Sequence, residues 1–500
     1  MSRHNQSINS FSGNSLSRRD MLRNLGLGIG ALGLSSSTAG TMAIGKSART
    51  PARRPNFIFI LTDDQGYFDL ECYGNNNIST PNFNKLADEG IKFTSFYATM
   101  VCSPTRATFL TGCNHERIGF SWIVKAYDSW CLNTSEQTIP KMLKQAGYAT
   151  GCVGKWHIGH GGINQSGCIG AYPKAYGLDY YCGLPLGHYA HLDSPGKEGV
   201  RVLWEQTESM SADQLNRVEY DYNTTEGQAY LNNHTIHDTE KAKAFITAHK
   251  DEPFFLYMAH AAPHVPYWAP DNFKGTSNWG DYGDVLQSVD WSVGEILKTL
   301  SDLGIDDNTF VIFASDNGSD REGSNDPLSG GKWGVGEGSY RVPCLARWPG
   351  VIPAGIICDE FISIMDILPT YAAFAGTQQY LPTFKYDGFN QSQVFLDPNS
   401  KSSRDELPYY KNRRLEAFRK GDYKVHFSRG DDTAGLHSGD PYLLYNVKDD
   451  PAESNNLIND PSYKSIVDEI VAARNEWRTE LGDSLTGVGG NSRRSHGNCG

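Results

Sequence analysis

Residues 56–64 read Asn-Phe-Ile-Phe-Ile-Leu-Thr-Asp-Asp. The apolar run is of strand length, rich in residues that favour strands, and shows no polar alternation, which predicts a strand buried on both faces. Strands of that kind belong to parallel sheets with helices packed on each side. The run ends at Thr62-Asp63-Asp64, so two carboxylates stand at the carboxyl edge of the predicted sheet.

Working outward, residues 91–97 alternate as a strand, and residues 148–153, 253–260 and 308–314 read as further strands. Helical patterns lie between them. Thr80-Pro81 opens a helix that Gly90 closes, residues 138–146 form one stopped by Gly147, residues 238–249 have helical spacing, and residues 285–303 form a long amphipathic helix ended by Gly304. Helices alternating with apolar strands predict a parallel sheet covered on both faces. Ligands of such sheets bind outside the carboxyl ends of the strands. Polar motifs collect there: Asp63-Asp64, then Lys155 and His157, then Ser315-Asp316-Asn317-Gly318. Residues 164–234 are rich in Gly, Tyr, Asn and His without sustained periodicity, and are expected to be loops that overhang a pocket. After a helical stretch at 364–374 the texture changes. Residues 413–426, with a turn at Lys420-Gly421-Asp422, and 442–447 read as short antiparallel strands, followed by a helix from about 462 to 481. The tail 483–500, rich in Gly, Ser, Asn and Arg, is expected to be flexible.

Residues 101–112, Val-Cys-Ser-Pro-Thr-Arg-Ala-Thr-Phe-Leu-Thr-Gly, stand apart. Pro104 suits the first position of a helix and Gly112 its stop. Cys102 is therefore expected just ahead of a helix N-terminus, where partial positive charge and free amides favour an anion and lower a thiol pKa. Arg106, a turn on, stays charged at any working pH and can fork onto an oxyanion. Taken alone, the same string also describes a helix that merely carries a cysteine in its first turn.

Five hundred residues point to two or more domains. The net charge of −12 argues against nucleic acid as a partner, because a binder of that polyanion needs a basic face. For any anionic substrate, positive charge must be concentrated in the pocket. No apolar run beyond the N-terminal region is long enough to span a membrane. Ten cysteines in this length are not a disulfide scaffold. Cys152, Cys168 and Cys182 lie close enough in sequence to bridge, with no pairing legible from spacing and no zinc-type spacing. Residues 17–23, Ser-Arg-Arg-Asp-Met-Leu-Arg, resemble the twin-arginine export motif, followed by a glycine-diluted apolar segment at 25–34 and a small-residue cleavage site at Thr41-Met42-Ala43. Residues 1–50 are thus expected to be a signal peptide and leader recognised by the twin-arginine machinery. The expected destination is the periplasm or the exterior, reached after folding.

Asp63, Asp64, Asp316 and Asn317 come from two strand ends and offer hard oxygen ligands, which suit Ca²⁺ or Mg²⁺ rather than zinc. Asp-Asn-Gly is also a common turn string, and paired aspartates also cap helices. What decides is the ensemble. Cys102-Ser103-Pro104-Thr105-Arg106 resembles the C-x-P-S/T-R signature of the sulfatases, and Thr62-Asp63-Asp64-Gln65-Gly66, Gly154-Lys155-Trp156-His157, Pro263-His264-Val265-Pro266 and Ser315-Asp316-Asn317-Gly318 with Gly331-Lys332 resemble that family's other motifs in the same order. The resemblance runs from about residue 55 to about 481.

That resemblance implies an α/β fold of the alkaline phosphatase-like kind: a large mixed, mostly parallel sheet sandwiched by helices (53–385), with a smaller C-terminal α+β domain (386–482). It implies that Cys102 is oxidised to formylglycine by a formylglycine-generating enzyme. It implies a divalent cation, Ca²⁺ foremost and Mg²⁺ as the alternative, on Asp63, Asp64, residue 102, Asp316 and Asn317. By the same resemblance the hydrated aldehyde attacks sulfur and forms a sulfo-enzyme. Arg106 would hold the aldehyde-derived group, Lys155 and Lys332 the sulfate oxygens, His264 would protonate the leaving alcohol, and His157 would take the proton that releases sulfate. The implied substrate is a sulfate monoester on a carbohydrate. His160, His188, His191, Lys197, Arg201, Trp204, Trp268, Trp279 and Trp333 are candidates for further substrate contacts. Two alternatives stand beside this reading: a formylglycine-dependent phosphonate monoester or phosphodiester hydrolase, and a non-catalytic glycan-binding protein in which Cys102 remains a thiol.

Overall fold

The computed structural model describes residues 53–125, 128–159, 171–187, 200–428 and 439–498. The export motif and leader, together with His160, Cys168, His188, His191 and Lys197, lie outside the described residues.

The strand Asn56–Thr62 is buried at every position, as its unbroken apolar composition requires. Successive side chains point to opposite faces of a sheet, and here Phe57, Phe59 and Leu61 enter one core while Ile58 and Ile60 enter another. The strand runs parallel to Phe254–Ala259 on one side and to Thr309–Ser315 on the other. Ala149–Gly154 and Tyr180–Gly183 continue the parallel sheet beyond Phe254–Ala259. Arg341–Arg347 is inserted antiparallel between Thr309–Ser315 and Ile91–Tyr97, which makes the sheet mixed but mostly parallel. Helices Cys102–Thr111, Ile139–Gln145 and Ile367–Ala375 cover the first core. Helices Pro81–Asp88, His234–Ala248 and Gly280–Asp302 cover the second. The expected parallel sheet with helices on both faces is the fold observed. Phe59 stacks on Phe109 with ring centroids 4.1 Å apart, which ties the central strand to the helix that begins at Cys102. Burying a side chain of this size contributes about 1.5–3 kcal/mol.

The structure corrects several expectations. The stretch 164–234, expected to be loops, contains strands Tyr180–Gly183, Val200–Gln206 and Asn216–Asp221, which extend one edge of the main sheet, and a helix Thr225–Asn232. The strands are only four to seven residues long and none alternates between apolar and polar side chains over its whole length, so no sustained period marks them in the sequence. Helix Cys102–Thr111 starts at Cys102, so Pro104 occupies its third position rather than its first. Gly112 ends that helix in the left-handed conformation, as expected. Cys152 and Cys182 are both free. Cys152 pairs with Tyr181 across parallel strands and Cys182 with Val153, so the two thiols lie on opposite faces of the sheet and cannot bridge.

In the C-terminal part, Arg414–Lys420, Tyr423–His426 and Leu443–Asn446 form the expected antiparallel strands, and helix Lys464–Leu481 packs on them. The sequence reading omitted Glu406–Lys411, an edge strand of the same sheet. Pro408 lacks a backbone donor and argues against a central strand, and an edge position is where it is tolerated. The tail is not free. Gly497–Asn498 pairs with Trp130–Cys131, and Arg494 forms a two-pronged ion pair with the buried Glu136. Low hydrophobicity predicted disorder there, and specific arginine–carboxylate pairing overrides it.

Candidate active site

Because Asn56–Thr62 and Thr309–Ser315 are adjacent and in register, with Thr62 opposite Ser315, the residues that follow them emerge side by side. Asp63 and Asp64 leave the first strand and Asp316 and Asn317 the second. Asp64 N–H donates to Asp316 Oδ1 at 3.2 Å, and Asn317 Nδ2 donates to Asp64 Oδ1 at 2.7 Å. Ala149–Gly154 delivers Lys155 to the same edge, where its amide donates to Ala259 O at 2.7 Å and its ammonium pairs with Asp63 Oδ2. Gly154 is required at that exit. Its φ is +102°, and a Cβ there would lie 2.0 Å from Ala259 O.

The helix N-terminus brings in Cys102 and Arg106. Arg106 is fully buried: its Nη2 lies 2.8 Å from Asp316 Oδ2 and 3.4 Å from Asp63 Oδ2, and its Nη1 donates to Lys155 O at 2.8 Å. Thr105 Oγ1 donates to Asp316 O at 2.6 Å, locking the helix to the strand end. Lys332 reaches in from a separate loop, its Nζ 2.7 Å from Asp64 Oδ2. His264 Nε2 lies 3.5 Å from the same oxygen. His157 Nε2 is 3.0 Å from Val124 O, and its Nδ1 is buried without a partner. Ligand atoms of Asp63, Cys102 and Asp316 fall within 4.8 Å of one another, as do those of Asp63, Asp64 and His264. Asp63, Asp64, Cys102, Arg106, Lys155, His264, Asp316, Asn317 and Lys332 therefore meet at one place, while the contact His157 makes is with Val124 O. Asp64, His157 and Trp333 adopt positive φ (62°, 60° and 73°), a cost of order 1–3 kcal/mol each that structures retain at functional sites.

The site sets three carboxylates against the charges of Arg106, Lys155 and Lys332. Burial raises the Asp63 carboxyl, but Lys155, His264, Arg106 and Lys332 overcome it and hold Asp63 well below the usual carboxylate range. Asp316 goes the other way, pushed up to about 7 by burial and by the Asp63 and Asp64 charges, against the pull of Arg106 and Lys155. Asp63 Oδ1 and Asn317 Oδ1 are buried with no hydrogen-bond donor. Two orphaned oxygens beside mutually repelling carboxylates fit a hard divalent cation, with Asp63, Asp64, Asp316 and Asn317 as its oxygen donors. Burial pushes the Cys102 thiol up, so the helix N-terminus does not lower its pKa as expected. Burial pushes both His157 and His264 down, and Lys155 and Arg106 reinforce this for His157.

The peripheral candidates divide. Trp333 flanks the site, with Lys332 Nζ 5.0 Å from its ring centre. Arg201 stacks over Trp268 at 5.6 Å. Trp204 is a core residue packed against Tyr172, and Trp279 packs against Tyr282. The recess beside Asp64 and His264 is also walled by Tyr267, Asp320 and Arg321, which the sequence reading did not name. Their only signal was proximity in sequence to His264 and to Asn317. Tyr257, whose hydroxyl lies 3.4 Å from Arg106 Nη1, gave none, because it sits within an apolar strand.

Comparison with known proteins follows the same lines. The family model described as sulfatase matches residues 55–377, and that described as the C-terminal region of aryl-sulfatase matches residues 402–495. N-acetylgalactosamine-6-sulfatase of Homo sapiens is 35% identical over 402 residues, covering 77% of this chain and 73% of that protein. Arylsulfatase A of Homo sapiens is 33% identical over 451 residues, covering 81% and 84%. Among solved structures, the PsFucS1 sulfatase from Pseudoalteromonas sp. superposes with a TM-score of 0.75 at 26% identity, covering 87% of this chain and 92% of that one. The phosphonate monoester hydrolase of Agrobacterium radiobacter, at 20% identity and a TM-score of 0.57 over 85% of this chain and 96% of that one, shares the fold.

Proposed function

The chain belongs to the sulfatase family and is a sulfuric ester hydrolase, and from that premise we propose that it removes sulfate from a sulfated carbohydrate, with position 102 as the nucleophile. The observation that carries this reading is the convergence of Asp63, Cys102 and Asp316 within 4.8 Å, beside a recess lined by Asp64 and His264, with Lys332 Nζ 2.7 Å from Asp64 Oδ2. Names of relatives that act on N-acetylgalactosamine-6-sulfate and of structures from glycosaminoglycan metabolism support the carbohydrate class. Cys102 is read as oxidised to formylglycine by a formylglycine-generating enzyme. Burial raises the Cys102 thiol pKa, which argues against the unmodified thiol as the nucleophile. A divalent cation on Asp63, Asp64, residue 102, Asp316 and Asn317, with Ca²⁺ preferred over Mg²⁺, supplies Lewis acidity and charge when bound.

The side chains then have defined tasks. Lys155 and Lys332 neutralise the sulfate oxygens, a form of stabilisation worth roughly 10²–10³ in rate per donor removed. Arg106, fixed by Asp316 and by Lys155 O, keeps the group at 102 oriented. His264 carries the proton to the departing alcohol oxygen. His157, held neutral by burial and with Nδ1 unpartnered, accepts a proton at position 102. The arginine pair at 18–19 supports export by the twin-arginine machinery to the periplasm or beyond. Residues 53–385 are assigned as the catalytic domain and 386–482 as the second domain.

Parallel assays on an aryl sulfate and an aryl phosphonate diester test the reaction class. Preferred turnover of the sulfate is expected, and a clear preference for the phosphonate would overturn the choice. Mass spectrometry of the tryptic peptide 93–106 tests the nucleophile. Protein from its native host that carries only unmodified Cys102 would remove the nucleophile and favour the non-catalytic glycan-binding alternative.

A further inference from the structure

Lys332 lies on the stretch Ser329-Gly-Gly-Lys-Trp-Gly-Val-Gly-Glu337, in which four of nine residues are glycine. Such a sequence gives up more conformational entropy on ordering than any other, so a functional ammonium on it needs an external restraint. The structure supplies one from the C-terminal part of the chain. Glu453 Oε2 accepts hydrogen bonds at both ends of the loop, from Ser329 Oγ and, at 2.8 Å, from Glu337 N. Ser329 N donates in addition to Pro451 O at 3.4 Å. The other Glu453 oxygen is held by His426 Nε2 at 2.6 Å and Lys424 Nζ at 3.1 Å. Lys424 Nζ lies also 3.1 Å from Glu337 Oε1, which accepts from Tyr409 OH at 2.9 Å. Asp450 stiffens the turn itself, accepting from Ser454 N and Asn455 N, each within 3.1 Å. Within the loop the restraint is passed on: Gly338 N donates to Ser329 O at 2.7 Å, Ser339 Oγ to Gly331 O at 2.5 Å, and Lys332 N to Ser319 O at 3.2 Å.

We propose that Glu453 is a positioning residue for the hydrolysis: by closing the two ends of the Ser329–Glu337 loop against the C-terminal sheet, it sets the Lys332 ammonium at the sulfate pocket. The inference rests on the proposed role of Lys332. Charge-assisted hydrogen bonds of this kind are about twice as strong as neutral ones, which suits them to holding a glycine-rich segment. It also gives the C-terminal domain a part in the reaction, although none of the side chains described above in contact with the three carboxylates comes from it.

Two variants break the clamp from opposite sides. Glu453→Asp keeps the charge facing Lys424 and His426 but shortens the reach, and Ser329→Ala removes the loop's hydroxyl while leaving the C-terminal core untouched. Each is expected to lower kcat/KM on an aryl sulfate about tenfold and to raise the inhibition constant of inorganic sulfate several-fold, measured well below the melting temperature. Because both act through Lys332, adding either to Lys332→Ala is expected to cost less than about twofold more, since residues acting as one unit are not additive. If the losses multiply in full, or if Ser329→Ala keeps wild-type kcat/KM and sulfate inhibition, the positioning role is wrong. A Lys332→Ala variant with undiminished activity would instead refute the assignment of Lys332 itself, so the two failures are told apart.

Discussion

Asp63 Oδ1 and Asn317 Oδ1 are buried acceptors without donors, in a site where Asp316 is pushed up to about 7 by burial and by the Asp63 and Asp64 charges. A buried polar atom left unsatisfied costs about 1–3 kcal/mol, and a bound dication relieves both atoms at once. Stripping divalent ions with a chelator is therefore expected to abolish activity and lower the melting temperature, with Ca²⁺ restoring both. A ligand present at about 100 times its dissociation constant stabilises by about 2.7 kcal/mol. Asn317→Ala removes one neutral donor, so its loss of activity is expected to shrink as the cation is raised to millimolar concentration. A melting temperature indifferent to chelation would contradict the cation assignment. Lys155 is a separate matter. Its ammonium pairs with Asp63, and under the proposed role in neutralising sulfate Lys155→Ala is expected to lower kcat/KM by roughly 10²–10³ on an aryl sulfate, while full activity in a folded variant would remove it from the mechanism.

At the scale of elements, strand ends fix where the side chains go, and close backbone packing fixes the strand ends. Gly154 stands at left-handed φ with Ala259 O where its Cβ would be, so Gly154→Ala must shift the exit of the strand that presents Lys155 and His157. The expected outcome is a loss of more than about 2 kcal/mol in urea unfolding together with a fall in activity, while Gly147→Ala, with open space around its Cβ, is expected to cost only its backbone strain. Equal costs for the two would show that close approach at Gly154 is unimportant. The same elements explain what could be read from the chain. Asn56–Thr62 and Thr309–Ser315 were legible because each is an unbroken apolar run ending in acids, and the motifs at their ends follow from that. Asn216–Asp221 was not, since it is an edge strand whose side chains are mostly exposed, and Val200–Gln206 was hidden because its buried positions include Arg201 and Gln206, which break the apolar run. Glu406–Lys411 was hidden by Pro408. The register that sets Asp64 beside Asn317 lies in the pairing of residues about 250 apart, which no local pattern encodes.

At the scale of the molecule, the C-terminal sheet is joined to the main one through buried polar groups. Arg117 binds Asp387 through two hydrogen bonds of 2.7 Å and Glu480 on the last long helix at 2.8 Å, and the neighbouring His115 packs edge-on to Tyr410 of the C-terminal sheet with ring centres 6.1 Å apart. His115 is fully buried, with Nδ1 3.7 Å from Glu116 Oε1 and neither ring nitrogen hydrogen-bonded. Burial lowers its pKa from 6.5 to about 3. Between these values the unfolded chain binds a proton that the folded one excludes, so this residue makes stability rise with pH and fall as the medium is acidified from 6.5 toward 3. Its contribution reaches about 1.4 kcal/mol per pH unit inside that window and vanishes above it. His115→Phe removes the titrating group while keeping an aromatic ring against Tyr410. Urea unfolding at pH 5 and pH 7.5 is expected to show a smaller acid-induced loss in the variant than in the parent, with little difference between their pH dependences above pH 7. An unchanged acid loss would mean that the junction admits the proton without opening, and that acid sensitivity of the fold arises elsewhere.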